Sequence, residues 1–400
     1  MRLRTFESFW LVKNGILYSY PSLQTDLKTE ILVIGGGITG ALISHSLMEA
    51  GYEVTLIDRR DIAMGSSSAT TSMLQYEIDV PMHRLSEMIG EKEAALCYSS
   101  GIEAILELEK LVKENQIDCG FHMKESLYLA HSKEASHGLR EEFEIRDKYH
   151  LGVKWLNAAE VKGKYGLNCH GAILSEVAAS VDAYKLAHEL IQLNVKRGMK
   201  VFDQTEITQI DTSGIEPKVL IKTGQTVYAK KIICCTGFES TKLLKEKVAD
   251  LFYTYATVSE QGINLNSSIK NTLIWDTGEP YLYMRTTDDG RFLVGGEDSS
   301  FNFQLFQQRI KEGKAKKLIK KLEKIMPGIE FIEDFSWGGT FGTTKDGLPY
   351  IGKSPEYENT FFVLGFGGNG ITFSVQGMEM IPDMLKGKDH RLAEFYRFGR

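Results

Sequence analysis

Gly35, Gly37 and Gly40 stand in G-x-G-x-x-G spacing inside the stretch EILVIGGGITGALISHSLMEAGYEVTLID. Glycines so placed let a strand turn tightly into a helix, bring bare backbone up to a pyrophosphate, and allow the helix to pack closely on the strand. The N–H groups that open the helix then face the anion. Asp58 lies 18 residues beyond Gly40, at the end of the next apolar run, where a carboxylate can accept hydrogen bonds from ribose hydroxyls. The glycine spacing alone is a weak signal, because purely steric turns share it. With a strand before it, a helix after it and the acid in place, it reads as dinucleotide binding, with Arg59 a further candidate contact. Arg59 and Arg60 together also raise a 2′-phosphate and hence NADP, although arginines at a strand end are more often solvated.

The elements that must position these residues follow from the periodicity of apolar side chains. Residues 30–58 give a buried strand, a glycine turn, an amphipathic helix closed by Gly51 and a second strand, a βαβ unit. DRRDIAMGSSSATTSMLQYEID is rich in small hydroxyl residues and is expected to be an extended loop lying against something polar. Helical spacing runs from Leu85 to about Asn115, strand character returns near Ser126, and a charged helix covers EEFEIRDKYH. Asp182 is placed to cap a helix that Gly198 stops. Strands are expected at VFDQTEITQI, KVLIKTG and VYAKKIICCTG, the last ending in a glycine turn at Thr236 and Gly237. EPYLYMRTTDDGRFLVGGED reads as a hairpin turning at Asp289-Gly290, and KAKKLIKKLEKIMPG as a basic helix. NTFFVLGFGGNGITFSVQGMEMIPDML is strand, glycine loop and helix once more.

Composition narrows the function classes. With 400 residues, 42% of them hydrophobic, the chain can fill two sizeable cores or one large domain with an inserted partner. A net charge of -6 offers no general attraction to nucleic acid or anionic lipid. No stretch reaches the roughly 18 apolar residues of a spanning helix, and Lys13 and Asn14 interrupt the opening run, so a soluble cytoplasmic protein is expected. Five cysteines make no disulfide framework, and the adjacent Cys234 and Cys235 are expected as reduced core residues. No HExxH or paired CxxC spacing occurs among the histidines and cysteines, so no metal is expected.

Three glycine turns in this order, the second at Thr236-Gly237 and the third in GFGGNG, resemble the D-amino-acid oxidase superfamily of FAD-dependent oxidoreductases. The resemblance is strongest to glycine oxidase-like and γ-glutamylputrescine oxidase-like members and covers nearly the whole chain after residue 29. It implies FAD and an α/β fold in which a Rossmann-like FAD-binding domain carries an inserted antiparallel-sheet substrate domain. The FAD-binding part would be residues 30–80, 150–240 and 335–385, the substrate part 81–149 and 241–334, and residues 1–29 an N-terminal extension. Ser66, Ser67, Thr71, Ser72 and Met73 match positions that run along the pyrophosphate and flavin, and Ile207 one whose backbone meets the adenine. Gly367, Gly368, Asn369, Gly370, Ile371 and Thr372 match contacts to the flavin pyrimidine ring. A helix starting near Ile371 would point its positive end there and favour the anionic reduced flavin.

SWGGTFGTTKDGLPYIG, Ser336 to Gly352, resembles the family's strand and turn beside the flavin. Glycine oxidase-like relatives carry an arginine in this turn that pairs with the substrate carboxylate, a bidentate contact a phenylalanine cannot replace. The matching position here is Phe341, and a second such arginine position holds Gly368. The resemblance therefore implies a small-molecule substrate that is an amine, an N-substituted amino acid or something larger, and not a small amino acid gripped by its carboxylate. Gln75, Tyr281, Tyr283, Arg285 and Phe341, with Arg84, are the candidate substrate contacts, although strand tyrosines commonly pack and arginines commonly pair. The expected reaction is hydride transfer from the carbon of a neutral amine to flavin, followed by imine hydrolysis. Oxygen or a carrier would take the electrons, and no dedicated acid or base is assigned. A hydroxy-acid or glycerol 3-phosphate dehydrogenase and a non-catalytic flavin-binding subunit stay open as alternatives.

Overall fold

The structure, a computed structural model, describes residues 1, 3–5, 7–214, 216–300 and 307–400. Helix α1 (Phe9–Asn14) leads into β1 (Leu27–Ile34), α2 (Ile38–Glu49) and β2 (Val54–Ile57), the βαβ unit of the sequence. Next come β3 (Met73–Leu74), α3 (Met82–Ile89), α4 (Glu91–Glu114), β4 (His122–Leu129) and α5 (Lys133–Lys148). They are followed by β5 (Val153–Leu156), α6 (Ala158–Tyr165), β6 (Ala172–Ser180) and α7 (Ala183–Lys196), which Asp182 caps by accepting from the Lys185 N–H. β7 (Lys200–Phe202), β8 (Ile207–Asp211), β9 (Lys218–Ile221) and β10 (Thr226–Cys234) end the middle of the chain. Beyond it lie β11 (Asp250–Ser259), α8 (Ser267–Lys270), β12 (Thr272–Asp276), β13 (Leu282–Thr286) and β14 (Phe292–Ser300). The C-terminal part is α9 (Gln307–Ile325), β15 (Glu333–Thr343), β16 (Tyr350–Lys353), β17 (Thr360–Leu364), α10 (Gly370–Leu385) and α11 (Ala393–Tyr396).

One sheet has the order β16-β17-β10-β1-β2-β7, with β9 and β8 branching from β10. The strands from β17 to β7 are parallel, so their apolar residues are buried on both faces. Helix α2 packs between α7 and α10. It was expected to be amphipathic, but only Glu49 along it is exposed, because it is sandwiched by helices as well as lying on the sheet.

The second sheet runs β15-β11-β14-β13-β12-β4-β6-β3, with β5 beside β6, and all pairings except β12 with β4 are antiparallel. Sheet membership corrects the division by sequence. β5 and β6 fall within 150–240 and β15 within 335–385 by all but two of its residues, yet all three belong to this second sheet. Conversely α4, inside 81–149, packs on α10 of the first layer. The reason is that strand pairing is non-local: β6 finds β4 about fifty residues upstream, and period-2 patterning carries no partner label.

Candidate active site

The first glycine loop has the geometry its spacing predicts. Gly35 sits at φ +108°, and a Cβ there would lie 2.4 Å from the Cys235 carbonyl oxygen, so β1 and β10 can approach only without a side chain. A Cβ on Gly40 would lie 1.8 Å from the Gly35 oxygen, which makes Gly40 a packing glycine; it does not face the cavity. Gly37 opens α2 with no side-chain cap, and the Ile38 N–H donates to Ser67 Oγ at 2.9 Å. Gly35, Gly37, Ile38 and Thr39 line a cavity of about 1250 Å³.

Asp58 lines the same cavity, with Oδ2 accepting from the Gly36 N–H at 2.7 Å and Oδ1 from the Arg60 N–H at 2.8 Å. Burial raises its carboxyl above the usual value, and these two N–H groups pull against that rise. Arg59 and Arg60 both pair with Glu239, Arg60 in bidentate fashion at 3.1 and 3.2 Å. Ser66, Ser67, Thr71, Met73, Ile207, Thr236 and Gly237 all line the cavity, as do Gly367, Gly368, Asn369, Gly370 and Ile371. Besides Gly40, two expected contacts do not. Ser72 is buried at φ +53°, and Thr372 turns its hydroxyl to the Gln75 carbonyl at 3.2 Å.

Sequence reasoning missed what holds the hydroxyl-rich loop in place. Trp10 Nε1 donates to the Thr70 carbonyl at 2.6 Å and Trp337 Nε1 to the Ala69 carbonyl at 2.8 Å. Arg285, expected at the substrate, is a correction: it is 2% exposed, does not line the cavity, and donates to the Ser72 carbonyl at 2.7 Å and the Val181 carbonyl at 3.2 Å. Burial lowers its guanidinium to about 10, and the backbone carbonyls supply its hydrogen bonds where no carboxylate does. The N-terminal segment also joins the site, since Leu3 lines the cavity and Thr340 N–H donates to its carbonyl.

These residues fit an elongated dinucleotide. Glycines without side chains leave room along one wall, α2 and α10 open without side-chain caps, and Asn369 Oδ1 is a buried acceptor with no hydrogen-bond partner among the described residues. The DAO family profile, described as FAD dependent oxidoreductase, matches residues 30–380. The chain belongs to this family. The FAD-dependent oxidoreductase is 27% identical to the glycine oxidase of Bacillus licheniformis, over 90% of this chain and 94% of that protein. It is 23% identical to the γ-glutamylputrescine oxidoreductase of Escherichia coli, over 97% and 91% respectively. The crystal structure of glycine oxidase from Geobacillus kaustophilus shares the fold, with a TM-score of 0.79 at 21% identity, covering 94% of this chain and 99% of that one. The protein is an enzyme, and FAD is its cofactor.

Gln75, Arg84, Tyr281, Tyr283 and Phe341 line the cavity of this oxidoreductase. Gln75 Nε2 donates to Ser126 Oγ at 3.1 Å, and Tyr283 Oη meets Thr254 Oγ1 at 3.3 Å. Burial raises the phenols of Tyr281 and Tyr283 far above their ordinary value, so both stay protonated. Phe341 faces Phe252 across the β15–β11 pair, and both side chains line the cavity. Trp275 and Tyr128, which stack at 3.5 Å, add to the aromatic wall.

Two carboxylates on this wall were not singled out from the sequence. Asp79 accepts from the Gly368 N–H at 3.0 and 3.2 Å and is open to the cavity, where walls of protein push its carboxyl up to about 6. A Cβ on Gly368 would sit 2.9 Å from Asp79 Oδ1, so the carboxylate occupies the space beside that backbone. Asp298, at the end of β14, also lines the cavity, and burial raises its pKa. The one local signal was a pair of acids in each of two otherwise apolar or small-residue segments, Glu77 and Asp79 in YEIDVP and Glu297 and Asp298 in VGGEDSS.

Proposed function

We propose that the enzyme oxidises the C–N bond of an amine or N-substituted amino acid. The observation that carries this reading is the part of the cavity wall that is aromatic at Tyr281, Tyr283 and Phe341, acidic at Asp79, and lacking a cation at Phe341 or Gly368 to pair a small substrate's carboxylate. The names of the relatives, an oxidase of glycine and an oxidoreductase of γ-glutamylputrescine, support the same reaction class.

FAD, when bound, supplies the two-electron acceptor for the hydrogen leaving carbon. The chain's own part is to hold and dry the site. Gly35, Gly37 and the start of α2 offer N–H groups to the pyrophosphate, and Asp58 offers free lone pairs to ribose hydroxyls. Trp10, Trp337 and Arg285 fix the loop from Ala69 to Ser72 by its carbonyls, so that Thr71 and Met73 present a set surface. The uncapped N-terminus of α10, reached through Gly367 to Gly370, brings positive potential to its end of the cavity. Phe252, Phe341 and Trp275 exclude water from the substrate's side.

The test is anaerobic: a panel of amines and amino acids is added to the yellow holoenzyme and flavin absorbance is followed. Bleaching by amines is expected, and a spectrum unchanged by the whole panel would remove the reading. Hydrogen peroxide release in air then assigns the acceptor, oxygen if peroxide forms with turnover and a carrier if it does not.

A further inference from the structure

The substrate wall carries more negative than positive charge. Asp79, Glu279 and Asp298 line it together with Glu77, which is 4% exposed. The cations nearby are mostly taken. Arg146 answers to Glu142, which His83 also contacts, and reaches Glu77 Oε1 at 3.7 Å; Lys314 and Lys321 pair with Glu297. Arg84 lines the cavity from α3 on an exposed side chain.

The carboxylates are also under-bonded. Glu77 Oε2 and Asp298 Oδ1 are buried and have no hydrogen-bond partner among the described residues. Among the described residues Asp79 has only the Gly368 N–H, shared between its two oxygens. Asp298 adds to burial in raising the Asp79 pKa, and the Tyr281 ring feels the charge of both. Like charges that face one cavity and are short of donors favour a cation that joins them. An aromatic wall between them adds an attractive π surface for an ammonium group.

We propose that the cavity selects a dicationic substrate, a diamine or an amine bearing a second positive group. Its ammonium remote from the oxidised bond is held between Asp79 and Asp298 beside Tyr281. The proposal deepens the amine-oxidation reading and rests on it for the identity of the site.

Isothermal calorimetry on dithionite-reduced holoenzyme, in which the probes are not consumed, tests it with three six-carbon compounds: hexylamine, 1,6-diaminohexane and 6-aminohexanoate. They share one amine and differ at the far end in being apolar, cationic or anionic. The diamine is expected to bind at least tenfold more tightly than either of the others. Asp298→Asn is expected to remove that preference while leaving hexylamine within twofold; Asp79→Asn, where it keeps its flavin, should also remove the preference. Asp298 makes no hydrogen bond to the flavin-side glycine loop, so its variant keeps the test decisive even if Asp79→Asn loses flavin. Equal or tighter binding of 6-aminohexanoate, or a diamine preference that survives Asp298→Asn, overturns the proposal. Bleaching of the oxidised enzyme by the same compounds is scored separately: tight diamine binding without bleaching sinks the oxidation reading and upholds cation selection, whereas bleaching without a diamine preference does the reverse.

Discussion

At Gly37 the backbone lies at φ -78° and ψ -171°, a conformation open to any residue, and the nearest atom to an added Cβ is Ser67 Oγ at 3.0 Å. A larger side chain there therefore takes the space proposed for the pyrophosphate without straining the turn. Gly37→Val is expected to fold, by its circular dichroism, and to purify with at least tenfold less FAD per chain; a fully loaded yellow variant would show the cofactor misplaced. Gly40 is different in kind, since a Cβ would strike the Gly35 oxygen at 1.8 Å and disturb the helix–strand packing itself. Gly40 was legible from spacing alone, because the demand on it comes from the Gly35 oxygen a few residues away. Arg285 was not. Its partners, the carbonyls of Ser72 and Val181, are far off in sequence, and an arginine in a strand looks the same whether it faces substrate or the back of a loop.

Helix α3 shows how an element is held by another's charge. Its N-cap, Pro81, gives no side-chain hydrogen bond, and Glu142 of α5 accepts from the Met82 and His83 N–H groups at 3.0 Å each. Arg146, one turn along α5, clamps Glu142 through Nε and Nη2 at 2.6 Å, and both side chains are 1% exposed. Burial opposes ionisation of Glu142, but the Arg146 guanidinium and the His83 contacts prevail and take it down to about 2. A carboxyl depressed on folding stabilises the native state above its unfolded value near 4.5, and that contribution is lost as pH falls toward about 2. Urea denaturation is expected to show stability dropping across this window, and less steeply in Glu142→Gln. Arg146→Met at pH 7 should cost about 3–5 kcal/mol, since it strands a buried carboxylate. A loss under about 1 kcal/mol would mean that water reaches the pair.

Over the whole molecule, one cavity is walled by the parallel sheet, the larger mixed sheet and the N-terminal segment at Leu3. A ligand that touches all three couples their unfolding, and FAD at a hundredfold excess over its Kd adds roughly 2.7 kcal/mol. The holoenzyme is expected to melt well above the FAD-stripped protein and in a single transition by calorimetry; coincident melting of the two forms would contradict that coupling. No helix among the described residues is long and apolar enough to cross a membrane. What the sequence determined by itself is the set of local devices: the glycine turns, Asp58 at its strand end, the Asp182 cap and the buried parallel strands. Each is dictated by backbone sterics and periodicity within a window of some twenty residues. Only the tertiary structure decided that β5, β6 and β15 join the second sheet, that Arg285 braces a loop, and that Asp79 and Asp298 share a wall. Those facts depend on which distant strands pair, and pairing is settled by the packing of whole faces.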